Sequence, residues 1–276
     1  MRLAELGTDL ADLVLPGVCA GCGAERVALR RGVCASCVTR LERLFPYASS
    51  PSPPPPGMPG CVAMGPYAGS LRGVLLGYKE RGRHRLARPL GALLASAVAE
   101  AALLGGGAVD VPVNVVAVPS TARAARERHG DHMARLAAHA VRRLRRAGWQ
   151  ADLHQPLRAL PRPDSASLDV SGRVAAAENS LRIRPARIHI SRRRPTMEGT
   201  LIVVDDIVTT GATLAAVASR LQEVDMQVNG AAVLAATTLR RVRPQAGESP
   251  PAWRAPEPEV PLSGCPTRGD GQASAG

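Results

Sequence analysis

A chain of 276 residues is long enough for one sizeable α/β core with a small accessory module, or for two modest domains. Hydrophobic residues make up 45% of it and aromatic residues only 2%, so Ala, Val and Leu must dominate the core. Such a core suits helices on a parallel sheet better than an aromatic-rich β-sandwich. The net charge of +12 fits a polyanionic partner, but the basic residues are scattered and few aromatic residues lie among them, which is a weak pattern for binding single-stranded nucleic acid.

The first segment, residues 1–45, contains two Cys-x-x-Cys units, formed by Cys19, Cys22, Cys34 and Cys37. Each unit places two thiolates at one edge of a tetrahedron, and a segment with almost no apolar core gains its fold from a bound metal. A redox role would need one such unit beside a thioredoxin-like βαβ pattern, which the sequence lacks. We therefore favour a closed, structural four-cysteine zinc ribbon over redox or unliganded thiols, and we assign no function to the isolated Cys61 and Cys265.

Residues 46–60 are predicted to form a Pro-rich linker, because the run Pro51–Gly57 is typical of a stiff polyproline segment. From residue 61 onward, apolar segments alternate in the manner of βαβ units. The predicted strands are Val62–Tyr67, Val113–Val118, part of Ala151–Leu160, Thr200–Val204 and about Val228–Ala236. The predicted helices are Leu71–Lys79, Leu86–Leu104, one long basic helix after Thr121 to about Arg146, and about Ala212–Val224. Residues 61–243 therefore form the predicted α/β domain, and the Pro-, Gly-, Ser- and Glu-rich residues 244–276 are predicted to be a disordered tail.

The most informative segment runs from Leu201 to Leu214. Its first four residues are apolar and suit a strand that is buried on both faces, as in a parallel sheet. Asp205 and Asp206 stand at the predicted carboxyl end of this strand, where open α/β sheets bind ligands. The following Thr- and Gly-rich loop leads into a helix, whose first backbone N–H groups can bind a phosphate. The alternative is a plain strand end followed by a threonine helix cap.

This segment resembles the phosphoribosyl pyrophosphate (PRPP) motif of type I phosphoribosyltransferases. The resemblance implies a parallel sheet flanked by helices, with Asp205 and Asp206 bound to the ribose 2′- and 3′-hydroxyls. It implies that the 5′-phosphate binds to Thr209, Thr210, Gly211, Ala212 and Thr213, and that Mg²⁺ accompanies the pyrophosphate. Purine-salvage members place an Asp where this chain has Thr209, which is no general acid or base near neutral pH, so purine salvage is disfavoured.

A four-cysteine ribbon joined to such a domain resembles the ComF family of competence-associated proteins, over about residues 13–240. The supporting motifs are Asp12–Pro16, Gly77–Gly82, Val118-Pro119 followed by Arg126–Arg128, and Arg173. The chain departs from the family at 129–132, where it has His-Gly-Asp-His in place of Gly-Phe-Asn-Gln. Arg126 and Arg128 are predicted either to contact pyrophosphate or to lie on a solvated helix, and His129, His132 and His139 are predicted to lie on or near the surface of that helix.

The leading hypothesis is a PRPP-binding phosphoribosyltransferase homologue that transfers a ribosyl 5-phosphate to a nitrogen acceptor. The alternative is a non-catalytic competence factor, with a metabolite-sensing PRPP site and a zinc ribbon that binds single-stranded DNA or a protein of the competence machinery. Membrane insertion is not expected, because Arg88 and Glu100 interrupt the best apolar run, Leu86–Leu104. The first residues lack the apolar core of a signal peptide, so we expect a cytoplasmic protein.

Overall fold

The computed structural model describes residues 17–128, 130–161, 170–184 and 198–237. Several sequence-based predictions fall outside these residues and concern the beginning of the ribbon segment, His129, parts of the loop region between 161 and 195, and the tail with Cys265.

A small N-terminal module carries the four cysteines. It consists of the hairpin strands β1 (Leu29–Arg30) and β2 (Val33–Cys34), followed by helix α1 (Ala35–Glu42). The hairpin turn consists of Arg31 and Gly32, and both have positive φ angles, of 55° and 81°. Turns of this kind match the twist of a two-residue hairpin.

The remaining strands are β3 (Tyr47–Ala48), β4 (Cys61–Pro66), β5 (Val113–Ala117), β6 (Ala151–His154), β7 (Leu157–Ala159), β8 (Leu181–Ile183), β9 (Thr200–Val208) and β10 (Gly230–Ala236). The remaining helices are α2 (Gly69–Lys79), α3 (Ala87–Leu104), α4 (Ala122–Glu127), α5 (His132–Arg146), α6 (Val170–Asn179) and α7 (Ala212–Gln222). Six strands form one sheet in the order β3-β4-β10-β9-β5-β6, and β7 pairs with β8 separately. Every pair in the large sheet is parallel except β3 with β4.

Helices cover both faces of this sheet, and the apolar strands explain why. Leu201 and Val203 of β9 pack in one core with residues of α6 and α7, whereas Ile202 and Val204 pack in the other with residues of α2, α3 and α5. Strands that are buried on both faces read as continuous apolar runs, so the predicted fold class is confirmed. The edge strand β3 comes from the segment that we predicted to be a linker.

The predicted long basic helix is wrong, because it is divided into α4 and α5. Gly130 has a φ of 129°, a conformation that most residues avoid. Asp131 then caps α5, and its side chain accepts hydrogen bonds from the backbone N–H groups of Met133 and Ala134. The break places the first residue of α5, His132, beside the carboxyl ends of the strands.

The stretch His84–Leu104 contains the interrupted run Leu86–Leu104 and is nevertheless long and apolar enough to cross a membrane by length and composition alone. In the fold it includes α3, and 56% of its apolar window is buried within the protein. Leu90, Leu94 and Val98 are fully buried against the sheet and the neighbouring helices. This packing is typical of a helix in a protein core.

Candidate functional site

The acidic pair lies within strand β9 and not after it. β9 continues to Val208, so the predicted strand end at Val204 is wrong. The extension follows from β10, which pairs with β9 as far as Val208, whereas the ladder with β5 ends at Val204. Because side chains alternate along a strand, Asp205 and Asp206 project to opposite faces of the sheet at its carboxyl edge. Ligands of open α/β sheets bind at this edge.

Two basic side chains contact the carboxylate of Asp206. Lys79 Nζ, at the end of α2, lies 2.6 Å from Asp206 Oδ2, and His132 Nε2, at the start of α5, lies 3.3 Å from the same oxygen. The Asp206 side chain is only 8% exposed, so these contacts are shielded from water. A buried carboxylate needs such partners, because an unpaired charge is costly to remove from water.

These contacts decide the ionisation of Asp206. Burial alone would raise the pKa of its carboxyl, but the hydrogen bond with His132 and the charge of Lys79 outweigh burial and hold the pKa well below its ordinary value. Asp206 is therefore a carboxylate at neutral pH.

Asp205 has a different environment. Its Oδ1 accepts a hydrogen bond of 2.8 Å from the backbone N–H of Asp206. Burial, and then the neighbouring charge of Asp206, raise the pKa of the Asp205 carboxyl. The pair therefore consists of one firmly ionised group and one group that holds its proton more tightly.

The contact between His132 and Asp206 was not predicted from the sequence. We placed His132 on or near a helix surface, but it is only 8% exposed. Its Nδ1 lies 3.0 Å from Ser120 Oγ, which in turn lies 3.2 Å from Asp131 Oδ1. The sequence carries no local signal for this contact, because Asp131 indicates a helix start but does not indicate which distant residue meets His132. His139 of the same helix is partly exposed.

Arg126 and Arg128 belong to α4 and its C-terminal cap. Arg126 is exposed, and Arg128 Nη2 lies 3.8 Å from Glu80 Oε1. Their contact with pyrophosphate stays a prediction.

The loop after β9 turns at Gly211, which caps α7 with a φ of 75°. A Cβ atom at this position would overlap with Met58 Sδ and would lie 3.2 Å from Pro51 Cγ. Two features therefore require glycine at position 211: its left-handed backbone and the close approach of the 46–60 segment. The five residues predicted to bind the 5′-phosphate form this loop and the first turn of α7, where backbone N–H groups carry partial positive charge.

The four cysteines of the N-terminal module converge as predicted. Their Sγ atoms all lie within 4.8 Å of one another, and those of Cys22 and Cys34 are 3.7 Å apart. A zinc ion bound to four thiolates at about 2.3 Å would separate them by roughly 3.8 Å, so the set can hold zinc. Three of the four cysteines are buried, and four thiolates leave no open position, so a zinc ion bound here would have a structural role.

Residues 169–251 match the family model of the phosphoribosyl transferase domain. The match covers less than one third of the chain and includes α6, β8, the acidic strand β9, the loop, α7 and β10. It supports a PRPP-binding domain of the phosphoribosyltransferase type. A comparison with curated proteins found no match.

Proposed function

We propose that the chain binds PRPP between the acidic pair and the N-terminus of α7, and that it transfers the ribosyl 5-phosphate to a nitrogen acceptor. One observation carries this proposal. Within the part of the chain that matches the phosphoribosyl transferase domain, the strand with the acidic pair leads directly into the Gly211 turn and the helix start. Hydroxyl-binding and phosphate-binding groups thus follow one another in the order of a ribose 5-phosphate.

The contacts of Asp206 suggest how the ribose is held. Lys79 and His132 both contact Oδ2, so we assign the other oxygen, Oδ1, to a ribose hydroxyl. Asp205 is assigned to the neighbouring hydroxyl. Both side chains have oxygen atoms that can accept hydrogen bonds, which suits hydroxyl donors, and the phosphate is bound farther along the loop, away from the charge of Asp206.

The chemistry that follows is substitution at the ribose C1′ carbon. The nitrogen acceptor forms a bond to C1′ while the bond from C1′ to the pyrophosphate oxygen breaks. The protein contributes by positioning and by electrostatic stabilisation. Mg²⁺ bound to the pyrophosphate would balance its charge, and no dedicated protein cage is needed for it.

The test is titration calorimetry of PRPP with Mg²⁺ into the zinc-loaded chain. We expect binding in the micromolar to millimolar range, weakened roughly fivefold in Asp205→Ala, because the side chain that accepts a hydrogen bond from a ribose hydroxyl is removed. Asp110→Ala is the matched control, since Asp110 is exposed and distant in sequence. Absence of binding by the unchanged chain, or equal binding by Asp205→Ala, would overturn the proposal.

A second candidate function is the non-catalytic role in competence, in which the N-terminal module binds single-stranded DNA. A cavity of about 410 Å³ between this module and residues 82–86 favours it, because Arg31, Arg83 and Arg85 line the cavity. Binding to phosphates would weaken with salt, with a slope of roughly −0.7 per phosphate contacted. Salt-insensitive binding, or none, would exclude this role.

Membership of the ComF family and a cytoplasmic location are also proposals. The four-cysteine module beside a phosphoribosyltransferase-type domain supports the first. Four cysteines available to a metal suit a reducing compartment, which supports the second.

A further inference from the structure

Helix α2 contacts both the cysteine module and the acidic strand. Ser70, Gly73 and Gly77 recur at intervals of three and four residues and therefore lie on one face of the helix. This face meets the cysteine module. Tyr78 and Lys79, at the carboxyl end of the helix, contact α5 and β9.

The module lies directly on the backbone of α2. A Cβ atom at Gly73 would overlap with the carbonyl oxygen of Gly21, and one at Gly77 would lie 3.2 Å from Ala20 Cβ. Gly21 and Ala20 stand between Cys19 and Cys22, so the first cysteine turn itself rests on the helix. Glycine is a poor helix former, and close approach explains its presence at both helical positions.

Ser70 links the helix to a cysteine. Its hydroxyl donates a hydrogen bond of 3.3 Å to Cys37 Sγ, and the residue is only 9% exposed. Hydrogen bonds from outside the ligand set orient metal ligands, and their loss typically weakens metal binding tenfold to a hundredfold.

At the other end, Lys79 Nζ lies 2.6 Å from Asp206 Oδ2, and the Tyr78 hydroxyl donates a hydrogen bond of 2.9 Å to the carbonyl oxygen of His132. The carboxyl end of this 11-residue helix therefore contacts both β9, which carries Asp206, and α5, which supplies His132. A helix of this length spans roughly 16 Å, and its backbone hydrogen bonds connect its two ends.

We propose that metal binding by the four cysteines positions α2 and thereby holds Lys79 against Asp206. Ser70 is a positioning residue for the Cys37 thiolate, and Gly73 admits the cysteine turn to the helix. Insofar as it concerns PRPP affinity, the inference rests on the proposed function. Coupling is reciprocal, so bound PRPP would raise zinc affinity by the factor by which zinc raises PRPP affinity.

The first experiment measures zinc affinity of the full chain by competition with a chromophoric chelator. Ser70→Ala and Gly73→Ala should each weaken zinc binding roughly tenfold or more, whereas Ser70→Thr, which keeps the hydroxyl, should retain most of it. Gly60→Ala is the matched control, because a Cβ atom there meets no atom within 4 Å. Unchanged zinc affinity in both variants would overturn the role of α2 in the metal site.

The second experiment follows hydrogen exchange of the α2 amides in the zinc-loaded and chelator-treated chain, together with PRPP titration. Metal removal should speed hydrogen exchange at the carboxyl end of α2 and should weaken PRPP binding. Once it is fully loaded with zinc, Ser70→Ala should show the same slow exchange and the same PRPP affinity as the unchanged chain. Exchange that does not respond to metal removal would overturn the coupling. If the zinc-loaded chain binds no PRPP but α2 responds to the metal, the proposed function fails and the coupling stands.

Discussion

At the scale of single residues, Asp206 shows how a buried carboxylate is maintained. Its side chain is 8% exposed, and removal from water would be costly without partners. Lys79 and His132 supply them from two helices on the same side of the sheet. The charge that would bind a ribose hydroxyl is therefore also a structural charge, and substitutions at this position should change both stability and binding.

Asp206→Asn should lower the free energy of unfolding at pH 7 by roughly 3 kcal/mol, because one member of a buried ion pair is removed. The Asp206 pKa is depressed in the folded chain, so its contribution is present above the ordinary carboxyl pKa. It is lost as the pH falls toward the depressed value. Denaturant unfolding at several pH values between 7 and 3 should show the two stabilities converging below about pH 4.

Asp110→Asn is the control for this measurement, since Asp110 is exposed and its substitution should leave stability unchanged within about 0.5 kcal/mol. A difference between the unchanged chain and Asp206→Asn that stays constant down to pH 3 would show that the charge of Asp206 does not stabilise the fold.

At the scale of elements, the turn between β9 and α7 depends on one glycine. Gly211 has a left-handed backbone and faces Met58 of the 46–60 segment. The loop is thus held at its two ends by β9 and α7, and it is also contacted by the 46–60 segment.

Gly211→Ala should destabilise the fold by about 1–2 kcal/mol through its positive φ and by a further 1–3 kcal/mol through overlap with Met58. It should also weaken PRPP binding, because the backbone N–H groups at the start of α7 would move. Thermal unfolding and titration of the variant measure the two effects.

Gly106→Ala separates the two causes. Gly106 has a similar φ of 84°, but a Cβ atom there meets no atom within 4 Å. Gly106→Ala should therefore lose only the stability that depends on the positive φ. Adding Met58→Ala to Gly211→Ala should restore part of the stability that Gly211→Ala loses. Equal losses in Gly106→Ala and Gly211→Ala would mean that the contact with Met58 is unimportant.

At the scale of the whole molecule, the N-terminal residues are part of the sheet domain's structure. The segment 46–60 contributes β3 to the sheet and reaches the Gly211 turn, and the cysteine module packs on α2. The division into a ribbon, a linker and an α/β domain stays a prediction, and these contacts cross its boundaries.

We expect the zinc-loaded chain to unfold in one calorimetric transition, because α2 belongs to the packing of both the module and the sheet. Gly73→Ala, which forces the cysteine turn away from the helix, should divide this transition in two. Two transitions in the unchanged chain would show instead that the module and the sheet domain are stable independently.

The sequence alone determined the features that depend on local pattern. The apolar runs of β9 and β10 predict buried strands, the paired Cys-x-x-Cys units bring four thiols together, and the Thr- and Gly-rich loop marks a helix start beside two carboxylates. Each of these follows from residues that are close along the chain, where periodicity and spacing fix the geometry.

Only the tertiary structure decided which residues meet Asp206. Lys79 and His132 are separated from it by 127 and 74 positions in the chain, and no local pattern indicates such a contact. The continuation of β9 through the acidic pair likewise depended on its partner β10, and the position of the cysteine turn on α2 depended on glycines that look unfavourable in a helix. Local sequence fixes backbone conformation, but the partners of a buried charge are set by how distant elements pack, because only packing excludes the water that would otherwise solvate it.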